Sequence, residues 1–167
     1  MADSFLLNGE ELREPLLYRG CGLDGIYLLN GYALEEHDGE RHVSISDVDG
    51  LHLAIGRHLV TYRKGLSPKE IRFLRNTMGI TQAEMAARLG NNSQSVARWE
   101  KGECEIPGTS EKLLRAVFLA SLIRPEDLCA LKDLLQSRLD ALDNRDETQT
   151  LPAQFELFDK WEESQAA

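Results

Sequence analysis

The chain has 167 residues, of which 42% are hydrophobic, and its net charge is -9. A chain of this length can bury one or two small cores, so one to two domains are expected. No apolar run approaches the roughly 18 residues of a membrane span, and residues 1–8 lack a basic segment ahead of a long apolar stretch, so we expect a cytoplasmic protein.

The net charge is unevenly distributed. Residues 1–56 carry a charge of -8, residues 57–115 carry +5, and residues 116–167 carry -6. Affinity for a polyanion depends on Lys and Arg side chains that neutralise phosphates. A basic middle between two acidic flanks therefore indicates that the middle contacts nucleic acid, while the flanks contact protein or solvent.

The cysteines are few and scattered. Cys21, Cys104 and Cys129 are an odd number and form no CxxC pair, which argues against a disulfide framework and a cysteine-rich zinc site. The four histidines have no regular ligand spacing either. We predict reduced thiols, no metal and no cofactor.

The first third of the chain has a β-rich pattern. Ile26–Leu29 is apolar and predicts a strand, and Tyr32–Leu34 and Val43–Ile45 flank a turn signal at Asp38-Gly39. This pattern predicts a hairpin or a three-stranded meander.

A helix is expected next, capped by Asp47 or Asp49 and ending before Lys64-Gly65, which we interpret as the boundary between domains. Its apolar residues recur at helical spacing. They are Leu51, Ala54, Ile55 and Leu59.

Two capping boxes follow in quick succession. Ser67-Pro68-Lys69-Glu70 predicts a helix that ends at Gly79, and Thr81-Gln82-Ala83-Glu84 predicts a second that ends at Gly90. The sequence therefore predicts two short helices with a tight turn after the second.

Two more helices complete the middle of the chain. Asn92 or Ser93 can cap a helix that reaches Lys101-Gly102, and Thr109 or Ser110 can cap another that runs to about residue 123.

The last 44 residues combine a series of leucines with an acidic end that carries aromatic residues. Leucines near heptad spacing, interrupted by Arg138, predict a helix that packs on its own core or on a second copy. These leucines are Leu128, Leu131, Leu135 and Leu142. Phe155, Phe158 and Trp161 punctuate an acidic tail that docks on its own domain or binds a partner, and the sequence leaves both alternatives open.

Gln82–Trp99 has the features of two helices that cross at a steep angle. Ala86 is small enough for the crossing, Gly90 supplies the turn, and Val96 and Trp99 share the inward face of the second helix. Together with the basic surroundings, these features predict a DNA-binding helix-turn-helix.

The outward face of that second helix carries the predicted base contacts, because Gln pairs with adenine and Arg with guanine in the major groove. Gln94 and Arg98 are four residues apart and therefore share one face. The full set of predicted base-contacting residues is Ser93, Gln94, Ala97 and Arg98.

Predicted phosphate contacts flank this face, from short polar groups and helix ends that set the register. They are Gln82, Asn92, Ser95 and Lys101.

The string TQAEMAARLGNNSQSVARWEKGE resembles the Cro and phage-repressor class of helix-turn-helix, the XRE family, and the resemblance covers about residues 68–118. It implies a lambda-repressor-like all-α domain in which Gln82 grips phosphate and supports the recognition helix. It also implies a structural ion pair between Arg75 and Glu100.

A second resemblance involves CGLDGIYLLNGY, GE, LHLAI and EIRFLR, which are similar to MqsA-type antitoxin regulators. Many of those proteins carry an N-terminal zinc module with two cysteine pairs. Here Glu35–Glu40 replaces one pair and only Cys21 remains near the other, so a degenerate zinc-ribbon-like domain without metal is expected.

Catalytic motifs are missing from the sequence. There is no nucleophile elbow, phosphate loop or zinc-protease helix. His52 and His58 near Asp47 or Asp49 would be candidate bases, but aspartates at a helix start ordinarily act as caps. We expect that the chain is not an enzyme.

Together these patterns predict an α+β fold. The expected domains are a small β-rich one with a linking helix (1–64), the helix-turn-helix domain (65–123), a possible dimerisation helix (124–143) and the acidic tail (144–167). The expected function is a homodimeric transcriptional regulator, a repressor, that binds an inverted-repeat operator in double-stranded DNA. The alternative is an antitoxin-type adaptor that neutralises a toxin or other partner protein and autoregulates its operon.

Overall fold

The computed structural model describes residues 5–7, 10–12, 15–37, 40–123, 137–139, 141 and 153–164. It divides into two compact units. Unit 1 comprises residues 1–54 and 151–167, and unit 2 comprises residues 55–150.

The main sheet of unit 1 has four strands. They are β3 (Leu16–Leu17), β4 (Ile26–Leu28), β7 (Ala153–Leu157) and β8 (Trp161–Ser164), in the order β3-β4-β7-β8. The central pair β4–β7 is parallel and the two outer pairs are antiparallel. The parallel pair therefore joins segments from opposite ends of the sequence.

Two separate hairpins accompany this sheet. They are β1 (Phe5–Leu7) with β2 (Glu10–Leu12), and β5 (Tyr32–His37) with β6 (Glu40–Ile45). The predicted hairpin around residues 38 and 39 is thus confirmed, with Leu34 opposite Val43, although those two turn residues lie outside the described part. The alternative meander is wrong, because β4 pairs with β3 and β7 instead.

The predicted acidic tail contains the strands β7 and β8, and two of its aromatic side chains lie in the core. Phe155 and Trp161 are buried, whereas Phe158 is 65% exposed. The sequence left open whether the tail docks on its own domain or binds a partner. Phe155 and Trp161 dock within unit 1.

Side chains fasten this C-terminal strand pair to unit 1. The Trp161 indole Nε1 donates to the carbonyls of Ser46 and Asp47, each at 3.1 Å. The Asn30 amide donates to the Leu157 carbonyl and accepts from the Leu157 N–H, so it continues the strand ladder. Buried donors and acceptors thus find partners where the strands end.

Helix α1 (Val48–Tyr62) begins where the sequence predicts. The Asp47 carboxylate accepts from the Gly50 N–H at 3.0 Å, which satisfies one of the free donors at the helix start. The division between the two units falls within this helix, between Ala54 and Ile55.

Within residues 55–123, unit 2 contains the C-terminal part of α1 and four further helices. They are α2 (Pro68–Thr77), α3 (Gln82–Arg88), α4 (Ser93–Lys101) and α5 (Gly108–Ser121). Both predicted capping boxes are present, with Ser67–Glu70 at α2 and Thr81–Glu84 at α3. Asn92, one of the two predicted candidates, caps α4.

The predicted cap of α5 is wrong. The helix begins at Gly108 after Pro107 and has no side-chain cap, whereas Thr109 and Ser110 were expected there. Ser110 is buried, and its hydroxyl accepts from the Asn91 amide at 3.2 Å. A contact with the turn between α3 and α4 therefore occupies the hydroxyl that the local pattern assigned to the helix end.

Arg115 of α5 is almost fully buried and binds the end of α1. Its guanidinium donates to the carbonyls of Leu59, Val60 and Lys64 at 3.0–3.2 Å and pairs with Glu111 one turn earlier. The last carbonyls of a helix have few intrahelical partners, so Arg115 gives them a charged donor, in the case of Leu59 in addition to the Arg63 N–H at 3.2 Å.

Glycine at position 56 allows α5 to approach α1 closely. A Cβ there would overlap the ring of Phe118, which is fully buried. Any larger residue would have to displace that ring.

These elements establish an α+β fold, with strands in unit 1 and helices in unit 2, as predicted. None of the helices in the described ranges has the length and apolar character that crossing a bilayer requires. The leucines predicted at heptad spacing lie outside the described residues. They are Leu128, Leu131, Leu135 and Leu142.

We predict that Arg115→Met lowers the free energy of unfolding by about 3–5 kcal/mol, because it leaves Glu111 and three carbonyls without their cation. Chemical denaturation followed by circular dichroism measures this change. Lys112→Met removes the same charge from an exposed position of α5 and should change stability by less than about 0.5 kcal/mol. Equal losses in the two variants would show that Arg115 acts only through net charge.

Candidate nucleic-acid interface

Helices α3 and α4, with the turn between them, form the candidate interface. Gly90 has a φ of 64°, a left-handed conformation that glycine adopts without strain, and the Asn91 N–H closes the turn onto the Ala86 carbonyl at 2.8 Å. Ala86 and Met85 are buried on the inner side of α3. The local sequence thus fixes the geometry of the two helices.

The faces of α4 separate as the spacing predicts. Val96 and Trp99 are buried, with 0% and 3% of their surface exposed. Ser93, Gln94 and Arg98 are exposed and Ala97 is half-buried, so the four predicted base-contacting residues lie on the side away from the core.

Below this face lies a buried carboxylate. The Glu100 side chain is 1% exposed and receives the Arg75 guanidinium at both oxygens, from Nε to Oε1 at 2.5 Å and from Nη2 to Oε2 at 3.1 Å. Arg75 also donates to the Ile80 carbonyl at 3.1 Å. The structure therefore places Arg75 and Glu100 in the ion pair that the family resemblance implies, and it joins α2 to α4.

Two further side chains bind the same carboxylate. The Gln82 amide donates to Glu100 Oε2 at 2.9 Å, and Arg72 Nε lies 3.6 Å from that oxygen. Because Gln82 is the first residue of α3, the carboxylate joins all three helices. Gln82 was predicted to contact phosphate, and here one amide hydrogen is used within the protein, which leaves the second as a donor.

The network determines the protonation of Glu100. Burial alone would raise the pKa of this carboxyl, but hydrogen bonds from Arg75 and Gln82, together with the charges of Arg75 and Arg72, outweigh it and lower the pKa below 4.5. The carboxylate therefore stays ionised at neutral pH.

The start of α4 uses two of the predicted phosphate contacts for its own cap. The side-chain oxygen Oδ1 of Asn92 accepts from the Ser95 N–H at 2.8 Å and from the Ser95 hydroxyl at 3.1 Å. Asn92 is exposed and keeps its amide hydrogens for an external acceptor. Ser95 is half-buried, and its hydroxyl proton is engaged in the cap.

The end of α4 carries exposed cations. Arg98 and Lys101 are 59% and 60% exposed, and both lie near the carboxylate of Glu103, at 3.8 Å and 3.7 Å. Arg98 and Lys101 were predicted from the sequence as DNA contacts, whereas Glu103 was not. Glycine at position 102 could have indicated the position of Glu103, because a residue in the left-handed conformation folds the chain back over the helix end.

A second acidic side chain lies at the start of α3. Glu84 accepts from the Thr81 backbone N–H and hydroxyl at 2.7 and 2.8 Å, and these hydrogen bonds lower its pKa. The negative charge of Glu84 offsets the partial positive charge at the N-terminal end of α3. Binding of a phosphate near this end therefore depends on neighbouring side chains more than on the helix itself.

Comparison with known proteins identifies one part of the chain. Residues 71–110 match the model of a family described as helix-turn-helix. No curated protein and no solved structure matches the chain. The matched segment runs from α2 to the start of α5 and does not reach residues 21–55, which carry most of the resemblance to MqsA-type regulators.

We predict that Glu100→Gln lowers the free energy of unfolding at pH 7 by about 2–3 kcal/mol, because it removes the charge from two charge-assisted hydrogen bonds. A lowered folded-state pKa stabilises the protein above the unfolded value of 4.5 and loses this effect as the pH falls through the folded value. The difference between wild type and variant should therefore shrink as the pH falls below 4.5.

Denaturant titrations at several pH values measure this difference. Glu103→Gln, which removes an exposed carboxylate nearby, is the control and should show little change at any pH. A deficit of Glu100→Gln that stays constant down to about pH 3 would contradict the assignment.

Proposed function

We propose that this protein, whose residues 71–110 match the helix-turn-helix family, is a sequence-specific repressor. It acts as a homodimer on an inverted-repeat operator in double-stranded DNA. Repression results where the operator overlaps a promoter.

The observation that carries this proposal is the outward face of α4. Gln94 and Arg98 are exposed there, while Val96 and Trp99 anchor the opposite side of the same helix in the core. An amide that pairs with adenine and a guanidinium that pairs with guanine provide direct readout in the major groove. Gln82, Asn92 and Lys101, which keep donors for phosphate oxygens, are proposed to set the register on the phosphates. Ser95, which was also predicted to contact phosphate, instead donates both its N–H and its hydroxyl to the cap of α4.

The length of α4 supports the homodimer. Nine residues span roughly 14 Å, which covers about four base pairs. So short a site recurs too often to identify one promoter. A second copy doubles the site, and two-fold symmetry requires that the half-sites form an inverted repeat.

We predict that Arg98→Ala weakens binding to the selected operator by about 1–3 kcal/mol and relaxes the base preference at one position. Lys101→Ala should weaken binding to the same extent on all sequences. The slope of the logarithm of affinity against the logarithm of salt concentration should fall by about one, the contribution of one phosphate contact. Selection from random duplexes, followed by titrations at several salt concentrations, measures both. If both variants lose affinity identically on every duplex, the division of roles is wrong.

We predict that binding depends on the spacing of the half-sites. Inserting about five base pairs between them rotates one half-site to the opposite face of the duplex, and the affinity should fall to that of a single half-site. Electrophoretic mobility shifts with the two duplexes measure this. Unchanged affinity after the insertion would contradict the rigid dimer.

The antitoxin-type adaptor is the second candidate, and the β5–β6 hairpin favours it. Leu34 and Val43 lie directly opposite each other and are 47% and 48% exposed, so they form an apolar pair on the surface. Such a pair suits protein binding. A stoichiometric protein partner that is lost in Leu34→Ser but retained in Arg98→Ala would support the adaptor, whereas operator binding without a partner favours the regulator.

A further inference from the structure

The chain immediately after α4 folds back onto the helix. Gly102 has a φ of 73°, its N–H donates to the Trp99 carbonyl at 3.1 Å, and the Glu103 N–H donates to the Arg98 carbonyl at 2.9 Å. This pair of bonds is the Schellman motif, in which the residue after the glycine is brought against the residue five positions earlier. An apolar contact usually forms there, but here the two side chains are Glu103 and Arg98.

The Glu103 carboxylate bridges two cations. Its Oε2 lies 3.8 Å from Arg98 Nε, and its Oε1 lies 3.7 Å from Lys101 Nζ. All three side chains are more than half exposed, so the pairs are weak and can rearrange when DNA binds.

The atoms in the contact with Arg98 matter for recognition. Glu103 approaches Nε, the nitrogen on the stem side, and within the described residues the guanidinium has no other side-chain partner. The terminal nitrogens Nη1 and Nη2 therefore remain available. These two nitrogens can make an end-on bidentate contact with guanine O6 and N7.

The same carboxylate opposes binding that depends on charge alone. It offsets the charges of Arg98 and Lys101, and it is itself repelled by phosphates. Non-specific binding to DNA of any sequence depends on this attraction between cations and phosphates. Glu103 thus weakens non-specific binding while it orients the side chain that reads a base.

From this geometry we infer that Glu103 is a positioning residue that sets sequence specificity: its charge, 3.8 Å from Arg98 Nε, favours the Arg98 conformation that leaves Nη1 and Nη2 available to guanine, and it masks the basic end of α4 from phosphates. The inference rests on the proposed function. It adds a residue outside the recognition helix to the determinants of specificity.

The test is Glu103→Gln, which keeps the shape of the side chain and removes its charge. We expect affinity for non-cognate duplexes to rise about two- to fivefold, and the preference for guanine at the position that Arg98 reads to fall about threefold or more. In a double-mutant cycle with Arg98→Ala, the effect on guanine preference should disappear. Fluorescence anisotropy on duplexes that differ only at that base pair measures all of these.

Glu105→Gln is the matched control, because it removes the same charge two residues later from an exposed side chain that forms no ion pair with Arg98 or Lys101 in the described part of the chain. The inference is overturned if Glu105→Gln has the same effect, if guanine preference is unchanged in Glu103→Gln, or if the effect persists without Arg98. Melting temperatures of Glu103→Gln and wild type should agree, since the Glu103 backbone and not its side chain closes the helix.

The wild type separates this test from the proposed function. If the wild-type protein selects no sequence from random duplexes, the proposed function itself fails. If it selects an operator and Glu103→Gln behaves like Glu105→Gln, only the role of Glu103 fails.

Discussion

The buried carboxylate of Glu100 is the interaction on which the candidate interface depends. It joins Arg75 of α2, Gln82 of α3 and its own helix α4, so one charge fixes three helices relative to each other. A buried charge is costly unless its partners are well placed, and this cost penalises any other arrangement of the helices. The exposed side of α4 therefore presents its side chains from a rigid base, which recognition of base edges requires.

Unit 2 could be predicted from the sequence because its signals are local. The capping boxes at Ser67 and Thr81 and the glycine at position 90 act within a few residues, and each appears in the structure as expected. The faces of α4 follow from helical periodicity alone. Local rules failed at α5, where a contact across 19 residues takes the Ser110 hydroxyl away from the helix end.

The remaining features depend on contacts that no local pattern encodes. Hydrogen bonds between Asn30 and Leu157 cross 127 residues, and the parallel pairing of β4 with β7 spans a similar distance. The aromatic residues near the end of the chain left open whether they dock on their own domain or bind a partner, and their spacing did not predict the strands that they form. At the interface, the position of Glu103 depends on a backbone reversal, so helical spacing could not reveal its contact with Arg98.

The pairing of β4 with β7 has a consequence for the order of events during synthesis. Unit 2 leaves the ribosome as one continuous stretch, whereas the sheet of unit 1 must wait for Phe155 and Trp161, which are translated after it. Until then, Ile26 and Leu28 lie on β4, which has its neighbour β3 on one side but lacks β7 on the other. Premature termination after α5 would therefore release a polypeptide with helices α1 to α5 and an open sheet edge, the kind of edge that promotes aggregation.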